Sequence, residues 1–174
     1  MVSAVGFTVL VGLVGIERVA ELVVAKRNLA WSMARGGRES GFAHYPFMVA
    51  LHTGLLAGCL LEVWLGGRPF VPGLGWPMLA LVLSSQALRW WCIRTLGPQW
   101  NTRIIVVPGA SRVTGGPYRL LGHPNYVAVV VEGAALPLVH TAWVTAVVFS
   151  VLNAGLLTVR IRTENGALAG LSHA

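Results

Sequence analysis

The chain has 174 residues, of which 55% are hydrophobic and only 11% charged, with a mean hydropathy of +0.69. That balance excludes an ordinary soluble domain and predicts a single integral membrane domain over residues 1–174. The formal net charge of +7 does not imply nucleic acid, because the basic residues are scattered and follow the loops between apolar stretches.

Five apolar windows, residues 2–25, 46–65, 74–96, 124–139 and 141–161, read as transmembrane helices. Each approaches the roughly twenty residues that cross about 30 Å of hydrocarbon at 1.5 Å per residue. The first window is too long and too acidic for a cleaved signal peptide and is expected to stay in the mature chain. Its Glu17 and Glu21 share a helical face. A lone charge in mid-bilayer costs about 2.5–3.5 kcal/mol, so both acids should face protein, meeting either an arginine of a neighbouring helix or a substrate.

Lys26, Arg27, Arg35 and Arg38 follow in a polar loop edged by Trp31, His44 and Tyr45, which suit interfacial anchors; His44 at a substrate entrance is the alternative. Placing this loop in the cytoplasm puts Arg89, Arg94, Arg103, Arg112, Arg119, Arg160 and Arg162 on the same side in an alternating five-helix scheme. Arg68 alone falls clearly outside. The N-terminus is then outside and the C-terminus cytoplasmic.

Residues 66–75, with Pro69 and Pro72, read as a plain turn between helices. Cys59 and Cys92 fall in apolar windows without partners at metal spacing and read as packing residues. The third window ends in Arg89-Trp90-Trp91-Cys92-Ile93-Arg94, whose arginines and indoles suit snorkelling towards headgroups. A long polar stretch, residues 97–123, then contains a β-branched run at 104–107 that suits a short strand. From residue 126 to 161 the chain is almost continuously apolar. One helix of that length would reach about 54 Å, too long for one crossing. Pro137 is expected to divide it into a helical hairpin.

Chemistry concentrates in residues 115–126, Gly-Gly-Pro-Tyr-Arg-Leu-Leu-Gly-His-Pro-Asn-Tyr. His123 and Pro124 stand immediately before an apolar helix, whose free N–H groups and dipole favour an anion. A carboxylate or a phosphate would suit equally, and a bare helix start is the alternative. Glu132 lies seven residues after Asn125 on about the same face, placed to pair with an arginine or to meet a ligand. Arg160 and Glu164, four apart near the end of the last window, share a face as well, as a modest helix pair, a solvated helix end or two walls of one pocket. There is no phosphate loop, no dinucleotide-binding glycine pattern, no nucleophile elbow, no metal spacing and no aspartate, so soluble nucleotide and hydrolase chemistry is not expected.

Taken together, Gly116-Pro117-Tyr118, His123-Pro124-Asn125-Tyr126, the apolar hairpin and Arg160 with Glu164 resemble the isoprenylcysteine carboxyl methyltransferase-like membrane methyltransferases. The resemblance covers about residues 100–168. Residues 100–106 and 160–165 look like the bacterial branch associated with type III polyketide synthases. What the resemblance implies is an S-adenosylmethionine-dependent O-methyltransferase whose cofactor-binding part spans residues 97–168. Tyr118, His123, Pro124, Asn125, Tyr126 and Glu164 would hold the cofactor, with Arg112 and Val113 lining the approach. Arg160 would face the acceptor; Glu132 is the second catalytic candidate, from its place in the fourth window rather than from the resemblance. The acceptor would be a lipophilic enol or phenol, an alkylpyrone or alkylresorcinol, with membrane lipid around it and no protein partner implied. Alternatives are a prenylcysteine carboxyl or phospholipid methyltransferase, and a non-catalytic membrane subunit binding quinone or lipid. Two positions depart from the family pattern: Gly122 stands where an arginine is usual, which argues against a carboxylate acceptor, and Asn165 follows Glu164 where a second acid is common.

Overall fold

The computed structural model describes residues 2–111 and 113–169. It is all-α apart from one two-stranded ribbon, with helices α1 (Val2–Met33), α2 (Tyr45–Leu65), α3 (Pro72–Leu96), α4 (Pro124–Leu138) and α5 (Trp143–Ala169). Prolines mark three of the starts. Pro46, Pro72 and Pro124 sit in the first turns of α2, α3 and α4, where the missing N–H costs nothing. Pro137 lies one residue before the end of α4, and a tight turn returns the chain into α5 as the hairpin that the sequence predicts.

At 15 residues, α4 is about 22 Å long, shorter than a bilayer core. It is the most enclosed helix, packed against α3 and α5, with Ala128, Glu132, Gly133, Leu136 and Pro137 all buried. The main core joins Phe7, Val11 and Val14 of α1, Leu55, Cys59 and Val63 of α2, Val82 of α3, Leu136 of α4 and Phe149 of α5. The outward faces are apolar too: Val5, Val9, Leu13 and Ile16 on α1, and Val144, Val147, Val151 and Leu152 on α5, are exposed. Contiguous exposed apolar faces of this kind suit a lipid solvent.

The segments 42–65 and 143–169 are long and apolar enough to cross a membrane by length and composition. Helix α1 carries Glu17, Arg18, Glu21, Lys26 and Arg27, α3 carries Arg89 and Arg94, and α4 is short.

Two boundaries depart from the sequence reading. Helix α1 runs on to Met33 through residues expected to be loop, and a strand β1 (Arg38–Ser40) pairs antiparallel with β2 (Ile104–Val106). Arg38-Glu39-Ser40 has no strand signal of its own; it is extended because β2 offers it a ladder. Arg103 locks the pair, reaching Glu39 at 3.0 Å and lying 4.4 Å over the Tyr45 ring. The ribbon ties the α1–α2 and α3–α4 connections together beside the C-terminal half of α5.

Candidate active site

At that end of the bundle the connection between α3 and α4 is folded down onto the helices by its own polar groups. The Asn28 amide donates to the carbonyls of Gly97 and Trp100, at 3.1 and 2.7 Å, and Asn101 donates to Ala25 O. Gly116 opens a 3-10 turn (Gly116–Arg119) at φ 54°, where a Cβ would sit 2.5 Å from Thr95 Oγ1, so glycine alone lets the turn lie this close to α3. Tyr118 is carried inward on this turn. Burial pushes its phenol above its ordinary value, with Cys92 as the next cause, so it stays protonated as a neutral hydroxyl.

The first turn of α4 meets the last turns of α5. His123 stacks on Tyr126 at 5.4 Å, the Tyr126 hydroxyl donates to Glu164 at 2.5 Å, and His123 lies 3.7 Å from Glu164 and 3.2 Å from Asn165 Oδ1. Arg160 does not pair with Glu164; it donates to Thr102 O at 2.9 Å and lies 5.9 Å over the Tyr126 ring. A helix-surface pair is thus replaced by two side chains that each reach across to another element.

These groups border a cavity of about 510 Å³. Its wall includes Val113, Tyr118, Gly122, His123, Asn125, Tyr126, Arg160 and Glu164, together with the ribbon residues 104–106. Apart from the ion-paired Arg18, Glu21 and Arg89, four wall residues have a buried atom with no hydrogen-bond partner among the described residues: Trp100 Nε1, Asn125 Oδ1, Asn153 Oδ1 and Arg160 Nε. Buried polar atoms are normally paired, so these four are places for a polar ligand to be held. Pro124 is buried and shapes the helix start without lining the cavity, and Arg112 lies outside the described residues.

The deep end of the cavity is bounded by an ion-pair network that joins three helices, α1, α3 and α4. Arg18 of α1 reaches Glu21 and Glu132, each at 2.7 Å; Arg89 of α3 bonds to the same Glu132 oxygen and lies 3.3 Å from Glu21. Glu17 is held separately by Gln86 and by the Trp90 indole N–H at 2.5 Å. The arginine partner expected for the α1 acids is therefore Arg89, and it serves Glu21. Arg18, Glu21 and Arg89 line the cavity, whereas Glu132 sits behind them.

Sequence reasoning overlooked His52 and Asn153, both on the wall. The signal was present, since a histidine or an asparagine inside an apolar window faces protein or water rather than lipid. A second groove, about 620 Å³ and almost wholly apolar, lies between α2 and α5 along Leu51, Gly54, Gly58, Val148 and Leu152. Leu156 borders both spaces.

Among the described residues no group of three or more His, Cys, Asp or Glu is placed to hold a metal. No solved structure gives a significant match to the chain. A curated relative, the uncharacterized protein YpbQ of Bacillus subtilis (strain 168), is 39% identical over 163 residues, covering 93% of this chain and 96% of the relative. The family model for isoprenylcysteine carboxyl methyltransferases matches residues 78–170, which contain the 3-10 turn, α4 and the α5 residues of the cavity. That family is made of membrane-embedded methyltransferases that use S-adenosylmethionine. With the family match over more than half its length and a relative matched nearly end to end, this chain belongs to the isoprenylcysteine carboxyl methyltransferase family.

Proposed function

We propose that the protein transfers a methyl group from S-adenosylmethionine to the hydroxyl oxygen of a lipophilic acceptor, the enol of an alkylpyrone or the phenol of an alkylresorcinol. The observation that carries this reading is the meeting of Tyr118, His123, Asn125, Tyr126, Arg160 and Glu164 on one cavity, although they come from three separate segments. The chemistry of the wall suits such a cofactor. It presents a carboxylate for an ammonium group, helix N-terminal amides for a carboxylate and unpaired amide oxygens for a ribose or base edge.

When bound, S-adenosylmethionine supplies an electrophilic methyl on a sulfonium that leaves as a neutral thioether. No covalent nucleophile is then required of the protein. Its task is to align the acceptor oxygen, exclude water and favour the oxyanion. Glu164, fixed by Tyr126, would take the amino end of the cofactor, and Tyr118 and Asn125 would hold it from the loop and α4. Val113 lines the approach, with Arg112 beside it in sequence. Arg160 would face the acceptor oxygen. Glu132 acts at one remove in this scheme, fixing Arg18 and Arg89 at the deep wall.

A long alkyl tail has somewhere to go, since the apolar groove between α2 and α5 adjoins the cavity at Leu156. Lys26, Arg27, Arg35, Arg38, Arg94, Arg103, Arg119 and Arg162 lie towards the cavity end of the bundle and Arg68 at the other, which supports a five-crossing topology with the active site facing the cytoplasm. Calorimetric titration of the purified protein with S-adenosylhomocysteine tests the cofactor assignment. Wild type is expected to bind, and Glu164→Ala to bind about tenfold more weakly or worse, as the loss of a charged hydrogen bond implies. No binding by wild type would favour a non-catalytic subunit that holds quinone or lipid.

A further inference from the structure

The acids of the cavity wall are engaged. Glu21 is held by Arg18 and Arg89, and Glu164 accepts from Tyr126 and faces His123. Glu132, the catalytic candidate of α4, is bonded to two arginines and lies off the wall. His123 has Asn165 against one ring nitrogen and Glu164 against the other.

His52 differs from all of these. It lines the cavity about two turns into α2. Its Nδ1 is 2.8 Å from the Met48 carbonyl oxygen. A carbonyl only accepts, so Nδ1 carries the proton and the neutral ring holds its lone pair on Nε2. The ring is set edge-on against Phe149, with centroids 5.4 Å apart at 87°, and no hydrogen bond within the described residues engages Nε2.

We propose that Nε2 of His52 is the general base that removes the acceptor proton, an inference that rests on the hydroxyl-acceptor reading above. A carboxylate acceptor arrives ionised and needs no base, whereas a phenol must lose its proton before or as it attacks. In this step the O–H proton moves to Nε2 and the O–H electron pair stays on oxygen. That oxygen forms the O–CH3 bond as the donor's C–S bond breaks with its pair going to sulfur, and the imidazolium returns its proton to water. The charges acting on His52 are Arg18 from α1 and Arg89 from α3, with Glu132 of α4 behind them, and Glu21, Arg103, Arg160 and Glu164 line the same cavity. The guanidinium groups offer positive charge to the oxyanion as it forms.

The test compares His52→Gln and His52→Ala on two acceptors, a plain alkylresorcinol and a nitro-substituted one that is already ionised at the assay pH. A phenol such as tyrosine's titrates near pH 10, so only the plain acceptor needs a base. Loss of a positioned base should slow the plain acceptor about 10²–10⁴-fold and the ionised one by less than about fivefold. S-adenosylhomocysteine affinity should hold in both variants, and added imidazole should restore part of the His52→Ala rate. In wild type the plain-acceptor rate should rise with pH as Nε2 becomes free of its proton, and His52→Gln should lack that limb. Equal losses on both acceptors, or none on either, would overturn the assignment. Wild type that binds S-adenosylhomocysteine yet methylates neither resorcinol would overturn the hydroxyl-acceptor reading, and the base with it.

Discussion

Gly122 stands on the cavity wall immediately before His123, and a Cβ added there meets no atom within 4 Å. The position is therefore free to carry the arginine that the family pattern commonly has. Gly122→Arg is expected to fold normally and to raise kcat/KM for a prenylcysteine carboxylate about three- to tenfold relative to a resorcinol, because a charge-assisted contact near water recovers only part of its usual worth. A radiolabelled methyl assay on both acceptors checks it, and an unchanged ratio would mean that residue 122 does not read the acceptor. At this scale the sequence was informative where polar residues interrupt apolar runs. Tyr118, His123, Tyr126, Arg160 and Glu164 were nameable as a set through the resemblance of their motifs to a known family, and the charges of Arg160 and Glu164 also interrupt an apolar stretch. His52 also interrupts an apolar run, but a single histidine there says only that it faces protein or water, not that it borders a site. Its significance comes from the cavity beside it and from the Met48 carbonyl that fixes its tautomer. Arg18 and Arg89 were visible as charges, but their common partner Glu132 is more than forty positions from the nearer of them and only the fold brings the three together.

The hairpin of α4 and α5 sets the cavity, and its two helices meet with almost no room to spare. A Cβ on Gly133 would lie 2.0 Å from Phe149 Cε1, so the ring occupies the space a side chain would take. Gly133→Ala is expected to lower stability by about 1–3 kcal/mol through overpacking. Thermal unfolding in detergent measures this, and Gly133→Ala combined with Phe149→Leu should recover part of the loss. An unaltered midpoint in the single variant would show that the helices can separate freely. The first turn of α5 is also secured from outside the hairpin. Glu62 of α2 accepts from the backbone N–H groups of Val144 and Thr145, at 3.1 and 2.7 Å, and pairs with Arg68 at 2.8 Å. A carboxylate there satisfies first-turn amides that have no helical partner. The hairpin itself was legible from Pro137 and from a length too great for one crossing. Its capping by Glu62 was not, because the cap comes from a helix about eighty residues earlier. Strand β2 was likewise legible from its β-branched residues, whereas β1 exists only as its partner.

Across the whole molecule, apolar side chains cover the outside while the ion pairs lie within, the arrangement expected when lipid is the solvent. Composition alone carried that conclusion. The number of crossings is harder to read from single helices, since α1 and α3 carry charges whose burial depends on one another. The proposed function is methyl transfer to a hydroxyl oxygen in the cavity at the loop-rich end of this bundle. Its most direct test is to incubate the protein, in vesicles, with isotopically labelled S-adenosylmethionine and membrane lipid extract, and to analyse the products by mass spectrometry. Label is expected in an alkylpyrone or alkylresorcinol methyl ether with wild type, and its loss with Glu164→Ala. Label confined to a prenylcysteine ester or a phospholipid amine, or no label at all from protein that binds the cofactor, would contradict it.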